Sequence, residues 1–429
     1  MIESEDFVGG TACIVDSTAA TEVAAVGVWY GRGSRDEREN EKGSTHFIEH
    51  MLFKGTRTRN AFQIAREIDS LGGSINAFTE REAVSFFAIV PADGFEKTAE
   101  ILIDMTQNAV FDANEFERER TVIENELSAA EDDPEEVATD AFAELLWKDH
   151  PLGRKIGGTS SDVAGLKRDT VYNTFENCYS GSADLVTVAG DVSFDRVKKT
   201  FAGAFPISQK PVKRIAPIWP SASGAFFKSA PFQHVQIFCS FQLPGVMSQS
   251  SYYGLQVANT AMGDSMSSRL FQTLREQRGL CYSIYSAPSL LSDATLWTIF
   301  ASSTIDTLPQ LVEGIAEEIV RLFDSNGFSK QEISDSKAQI RGGMKLESMD
   351  IEHRMRRIAR QKMYNTDPIS ISDSSELVSV VTANETNESL FHFIRESEPL
   401  IFALGPAKAK KSFMLSAEKL VKKLGVFNG

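Results

Sequence analysis

Apolar positions along the chain fall into two kinds of stretch. The first kind is short and almost unbroken. TEVAAVGVWYG, AVSFFAIVP (83–91) and ADLVTVAGD lie in the first half; HVQIFCSFQLPG, ATLWTIFAS (294–302) and PLIFALGPA lie in the second. Such runs, bounded by turn-forming residues, predict strands. The second kind spaces its apolar residues at helical intervals among charges: HFIEHMLF and ANEFERERTVIENELSAAE, then YYGLQVANTAM and LPQLVEGIAEEIVRLFD. The order of elements is the same in both halves, although the residues are not. An α+β fold follows: two duplicated domains, each a mostly antiparallel sheet with helices packed on one face.

The break between the halves is ISQKPVKRIAPIWPSASGAFFKSA (207–230). Pro211, Pro217 and Pro220 crowd together there with Ser and Gly, a composition that gives an extended linker. The expected division is a first domain over 1–207, a linker over 208–230 and a second domain over 231–429.

Composition narrows the classes of function. Hydrophobic residues make up 42% and charged residues 24%, as in an ordinary globular protein. The net charge of −15 argues against a nucleic-acid binder and against docking on anionic lipid. Cys13, Cys178, Cys239 and Cys281 form no CxxC pair, so neither a zinc ribbon nor a disulfide framework is expected, and a reducing compartment fits. No run is long and apolar enough to cross a bilayer. MIESEDFVGG lacks the basic and apolar regions of a signal peptide, so the expected location is the cytoplasm, or an organelle lumen if a targeting segment has been removed.

The stretch STHFIEHMLFKG (44–55) carries the candidate chemistry. On a helix, His46 and His50 lie one turn apart on one face, with Glu49 beside them. Two imidazoles so placed can hold one cation, and zinc prefers nitrogen ligands with a water-filled fourth position. Glu49 could then accept the proton of that water. A bare HxxEH also arises by chance on a polar helix face. Two of only six histidines fall here, however, at the border of a Met-, Leu- and Phe-rich segment where an unliganded pair would be costly. A third ligand is expected from the acidic helix at 113–131. Glu119, Val122, Ile123 and Glu126 share one of its faces by helical spacing, which favours Glu119 and Glu126 over Glu124.

These residues resemble the signature of the pitrilysin-type, or inverzincin, metallopeptidases, a family that includes insulysin and mitochondrial processing peptidase. GSRDERENEKGSTHFIEHMLFKGT looks like the family's zinc helix, and HPLGRKIGGT (150–159) resembles another recurrent block. The resemblance implies zinc, one ion per protomer, held by His46, His50 and Glu126. It implies Glu49 as the general base and Glu119 as a further catalytic carboxylate. GGSINAFTEREAVSFFAIVP resembles the family's substrate-binding edge strand, which puts Asn76, Ala77 and Phe78 against substrate. SRLFQTLREQRGLCYSIYS resembles its arginine–tyrosine segment, in which Arg275 and Tyr282 have the right spacing and Arg278 is a close competitor. The second half has no HxxEH, so it should be a metal-free partner domain.

The resemblance is closest to the short, processing-peptidase-like bacterial members, which implies an endopeptidase acting on peptides or unfolded segments. It also implies a closed chamber formed by a homodimer, or by a heterodimer with an inactive sibling. One rival reading is a non-catalytic assembly or core subunit of the same fold; another is a metal-dependent hydrolase of a different bond.

Overall fold

The computed structural model describes residues 2–427 apart from 8, 208–211, 219–221, 246 and 365. Its strands, in chain order, are β1 (Ile2–Asp6), β2 (Ala12–Ser17), β3 (Val23–Tyr30), β4 (Ser74–Thr79), β5 (Val84–Pro91) and β6 (Leu185–Gly190), then β7 (Gly224–Ser229), β8 (Val235–Pro244), β9 (Ser283–Leu290), β10 (Ala294–Ser303) and β11 (Leu400–Gly405). The first sheet runs β1-β2-β6-β3-β5-β4 and the second β7-β11-β8-β10-β9. Without β1 the two orders correspond strand for strand. Each sheet is antiparallel except for one matching parallel pair, β2 with β6 and β7 with β11. The duplication expected from element order is therefore present in the topology. The strand β7, GAFFKS, falls inside the expected linker, of which Pro211 and Pro220 lie outside the described residues. It is a largely exposed edge strand joined to β11 through main-chain pairing, so hydropathy does not announce it.

The chain packs as two compact units that do not follow the simple half-and-half division. One comprises Met1–Ala130, Arg154–Ile215 and Lys345–Ile371; the other comprises Glu131–Gly153, Ala216–Met344 and Ser372–Gly429. Each half of the chain thus gives one helical segment to the sheet of the other half. In the first unit, Val26, Val28, Val84, Phe86, Val186 and Val188 meet the helices Ser44–Leu52, Phe95–Asn108, Arg168–Cys178 and Phe194–Phe201. The opposite face, with Ala12, Ile14, Ala25, Trp29, Phe87 and Leu185, is covered by Ile351–Met363 through Ile351, Met355, Ile358 and Ala359. In the second unit the helix Pro134–Trp147 does the same: Phe142 stacks on Phe238 at 4.7 Å, beside Leu296, Phe300 and Phe402.

Helices thus cover both faces of each sheet, where one face was expected. The reason lies in the strands. β3, β6 and β11 are apolar almost throughout, β8 adds Phe238 on its second face, and all four are buried almost end to end, so they need cover on both sides. The crossing helix comes very close to the first sheet. A Cβ at Gly27 of β3 would lie 2.7 Å from Met355 Sδ and 2.7 Å from Trp29 Nε1, so a larger residue there would force one of these buried side chains to shift. Met355 is fully buried, and Met355→Ala is expected to destabilise the first unit by about 2–5 kcal/mol, read as an earlier urea midpoint for that unit. Among the described residues no helix is long and apolar enough to cross a membrane. All four cysteines are free.

Candidate metal centre

The HxxEH stretch forms the helix Ser44–Leu52, whose apolar side buries Phe47, Ile48, Met51 and Leu52. Phe47 stacks on Phe116 of the acidic helix Ala113–Asp132, with ring centroids 4.2 Å apart and planes 16° apart. The Arg120 guanidinium lies over both rings and donates to the Leu166 carbonyl at 2.8 Å. Asp112 caps the acidic helix, accepting from the main-chain N–H groups of Asn114 and Glu115. The inward stripe of this helix is Phe116, Glu119 and Ile123. Val122, placed on that face by the sequence reading, is 40% exposed and points away. The register puts Glu119 and Glu126 opposite the two histidines.

His46, His50 and Glu126 offer donor atoms that all lie within 4.8 Å of one another; among the described residues they are the one group of three His, Cys, Asp or Glu that converges in this way. Glu126 Oε2 stands 3.3 Å from His50 Nε2 and 3.9 Å from His46 Nε2. Zinc bonds of about 2.0–2.1 Å at tetrahedral angles place donors about 3.3 Å apart, so the set fits that ion. Burial, followed by the neighbouring His50, pushes the His46 imidazole down to about 4, which keeps it neutral as a ligand must be. Glu119 is buried and has a different role from Glu126. Its Oε2 lies 3.0 Å from His50 Nδ1 and its Oε1 lies 2.7 Å from Lys54 Nζ. A carboxylate only accepts, so Nδ1 carries the proton and Nε2 keeps its lone pair for a cation.

Glu49 stays outside this donor set. Burial raises its carboxyl above the usual range, opposed by the Thr79 hydroxyl, which donates to Glu49 Oε2. Thr79 ends β4, so Glu49 and the edge strand are tied together. Sequence reading passed over Thr79, although it stands one residue past the INAF stretch on the same strand. Of the predicted substrate residues, Asn76 Oδ1 accepts from the Ala77 N–H at 2.8 Å. Phe78 packs edge-on against Trp29 at 5.6 Å and lies under the Arg356 guanidinium at 4.6 Å. Phe78 thus uses its ring for packing, and the outer side of β4 is a main-chain edge of the sheet.

Arg275 and Tyr282 belong to the second unit. Arg275 sits in a π-helical turn, Phe271–Gln277, with its guanidinium 4.4 Å from the Phe271 ring centroid. Arg278 instead pairs with Glu317 at 2.9 Å, which leaves Arg275 as the less committed of the two. Tyr282 is 83% exposed, and no described group bonds its hydroxyl. In the helix matching the metal helix, Gln249–Met262, Asn259 is buried and accepts from Ser286 at 2.7 Å and Trp297 at 2.9 Å. The Asn259 side-chain oxygen is thus engaged within the second unit.

Comparison with known proteins agrees with this division. A family model described as insulinase (peptidase family M16) matches residues 13–160, and one described as peptidase M16 inactive domain matches residues 165–340. An uncharacterized zinc protease of Mycobacterium leprae (strain TN) is 31% identical over 412 residues, which span 94% of this chain and 92% of that protein. One of Bacillus subtilis (strain 168) is 30% identical over 366 residues, 85% of this chain and 88% of that protein. Among solved structures, a protease from Helicobacter pylori gives a TM-score of 0.84 at 18% identity, covering 95% of this chain and 100% of its own. A chain of complex III2 from Candida albicans gives 0.81 at 15% identity, covering 99% and 100%. At such identities the structural likeness speaks for the fold alone. With both family models in sequence and relatives matched over nearly their full length, the chain belongs to peptidase family M16, the insulinase family.

Proposed function

We propose that the protein is a zinc-dependent endopeptidase that hydrolyses peptides or unfolded segments. The observation that carries this reading is the convergence of His46, His50 and Glu126 on one point, with Glu49 on the same helix but held apart by Thr79. Zinc held there supplies Lewis acidity toward the scissile carbonyl and the attacking water. Glu49 takes a proton from that water on a carboxylate oxygen and later gives it to the leaving amine nitrogen. Glu119 keeps His50 in the right tautomer. The main chain of β4 at Asn76, Ala77 and Phe78 receives an extended peptide as an added strand, a mode that tolerates many sequences. Enclosure of this site in a chamber closed by a second copy of the chain belongs to the same proposal.

Elemental analysis should find about one zinc per protomer, and a chelator should abolish cleavage of a quenched fluorogenic peptide. Protein that lacks zinc, or cleavage that resists the chelator, would overturn the reading. We further propose that Tyr282, assisted by Arg275, donates to the developing oxyanion; its exposed, uncommitted hydroxyl supports this role. Tyr282→Phe keeps the ring and removes one donor aimed at the transition state, worth about 3 kcal/mol. The expected result is a roughly hundredfold fall in kcat with a smaller change in KM. Turnover within a few-fold of the parent would remove Tyr282 from the mechanism.

A further inference from the structure

The metal helix begins without a capping side chain. Its N-cap is Gly43, at φ 81°, so its first-turn N–H groups need an acceptor from elsewhere. Nor could a side chain stand there, since a Cβ at Gly43 would lie 2.6 Å from the Gly157 carbonyl oxygen. The acceptor comes from upstream. Glu37, 8% exposed, takes the Gly43 N–H on Oε2 at 2.9 Å and the Thr45 N–H on Oε1 at 2.7 Å. The Glu37 carbonyl in turn accepts from the Arg154 guanidinium at 2.9 Å. Burial pushes the Glu37 carboxyl up to about 7, against the pull of Thr45, Gly43 and the Arg154 charge.

His46 is the third residue of this helix and the next after Thr45. Glu119 orients His50, but His46 Nδ1 is buried and bonds to no described group. The His46 ring therefore takes its place from the main chain of the first turn. That turn also carries about half a positive charge from the helix macrodipole, which opposes a cation held beside it. A carboxylate bonded to the turn fixes its geometry and offsets that charge.

We propose that Glu37 is the positioning residue for His46, holding and neutralising the first turn so that the site binds its cation tightly. The inference rests on the zinc reading above. Zinc affinity is measured by chelator competition on the full chain, alongside the absorption bands of the cobalt(II)-substituted protein, for Glu37→Ala, Glu37→Gln and Asn60→Ala. Asn60 caps the neighbouring helix Ala61–Ser70, accepting from the Gln63 N–H at 2.9 Å, and serves as a cap whose loss is structural only. Glu37→Ala is expected to weaken zinc binding about 10–100-fold, the range for outer-shell partners of a metal ligand, and to shift the cobalt bands. Glu37→Gln, which keeps one acceptor and loses the charge, should fall between it and the parent. Asn60→Ala should lower thermal stability with zinc affinity unchanged within about twofold. Should Glu37→Ala fail to fold, Glu37→Gln decides. Zinc affinity and cobalt bands at parental values in the Glu37 variants would overturn the proposal. A parent that binds no zinc would overturn the zinc reading, and this inference with it.

Discussion

Glu49→Gln should keep its zinc and lose its activity. The amide has the shape of the carboxylate and can still accept from the Thr79 hydroxyl, so the helix and the donor set of His46, His50 and Glu126 are left in place. What it lacks is a basic oxygen to take a proton. Loss of a general base costs at least ~10²-fold in rate, or about 2.7 kcal/mol on the barrier. Elemental analysis and peptide turnover on one preparation read both quantities. Parental turnover would place the base elsewhere; loss of zinc would make Glu49 a structural or ligating residue. Half-burial of Glu49 and its raised proton affinity suit a base that must also release the proton to a leaving amine.

The second large effect separates three glutamates of one helix. Glu126→Gln should empty the site, because it removes the anionic donor 3.3 Å from His50 Nε2. Glu119→Ala should weaken zinc about 10–100-fold without abolishing binding, since it removes the acceptor that orients His50 and leaves Lys54 without that partner. Glu124→Gln should leave zinc unchanged. Titration with zinc under chelator competition ranks all three. If Glu119→Ala empties the site while Glu126→Gln fills normally, the two carboxylates have been assigned in the wrong order.

The ranking also marks how far the sequence could be read. Helical spacing selected Glu119 and Glu126 together, because both face inward. It could not say which meets the cation, since that depends on which ring nitrogen of His50 each carboxylate reaches. Only the resemblance separated them; in the structure Glu126 lies nearest His50 Nε2 and Glu119 nearest Nδ1. β3, β6 and β11 were legible as nearly continuous apolar runs, and β8 as alternation, with Gln236, Ser240 and Gln242 set between its apolar residues. β4, β7 and β9 are edge strands with exposed positions and weaker patterns. The helix Ile351–Met363 carries Ile351, Met355, Ile358 and Ala359 at helical spacing, so its amphipathic character is readable. Its partner is not, because nothing local in IEHRMRRIARQKM tells a sheet in its own half of the chain from one in the other. Glu37 and Thr79 were missed for a related reason: each acts through a hydrogen bond to a distant element, and neither stands out as a residue type.

The exchange of helices between the halves governs the order of events on the ribosome. All six strands of the first sheet and the three proposed zinc ligands have been synthesised by residue 190, yet the helix that covers Ala12, Ile14, Trp29 and Leu185 ends at residue 363. At translation rates of about 5–20 residues per second, the nascent sheet waits roughly 10–30 s with one apolar face uncovered. A fragment ending near residue 210 would stay in that condition permanently. During synthesis the first unit is therefore exposed to aggregation for as long as the second is being made, and it becomes a target for chaperones that hold apolar surfaces. The proposed zinc donors, by contrast, are complete early, so on that reading metal capture by the nascent chain precedes closure of the fold and stabilises the waiting intermediate.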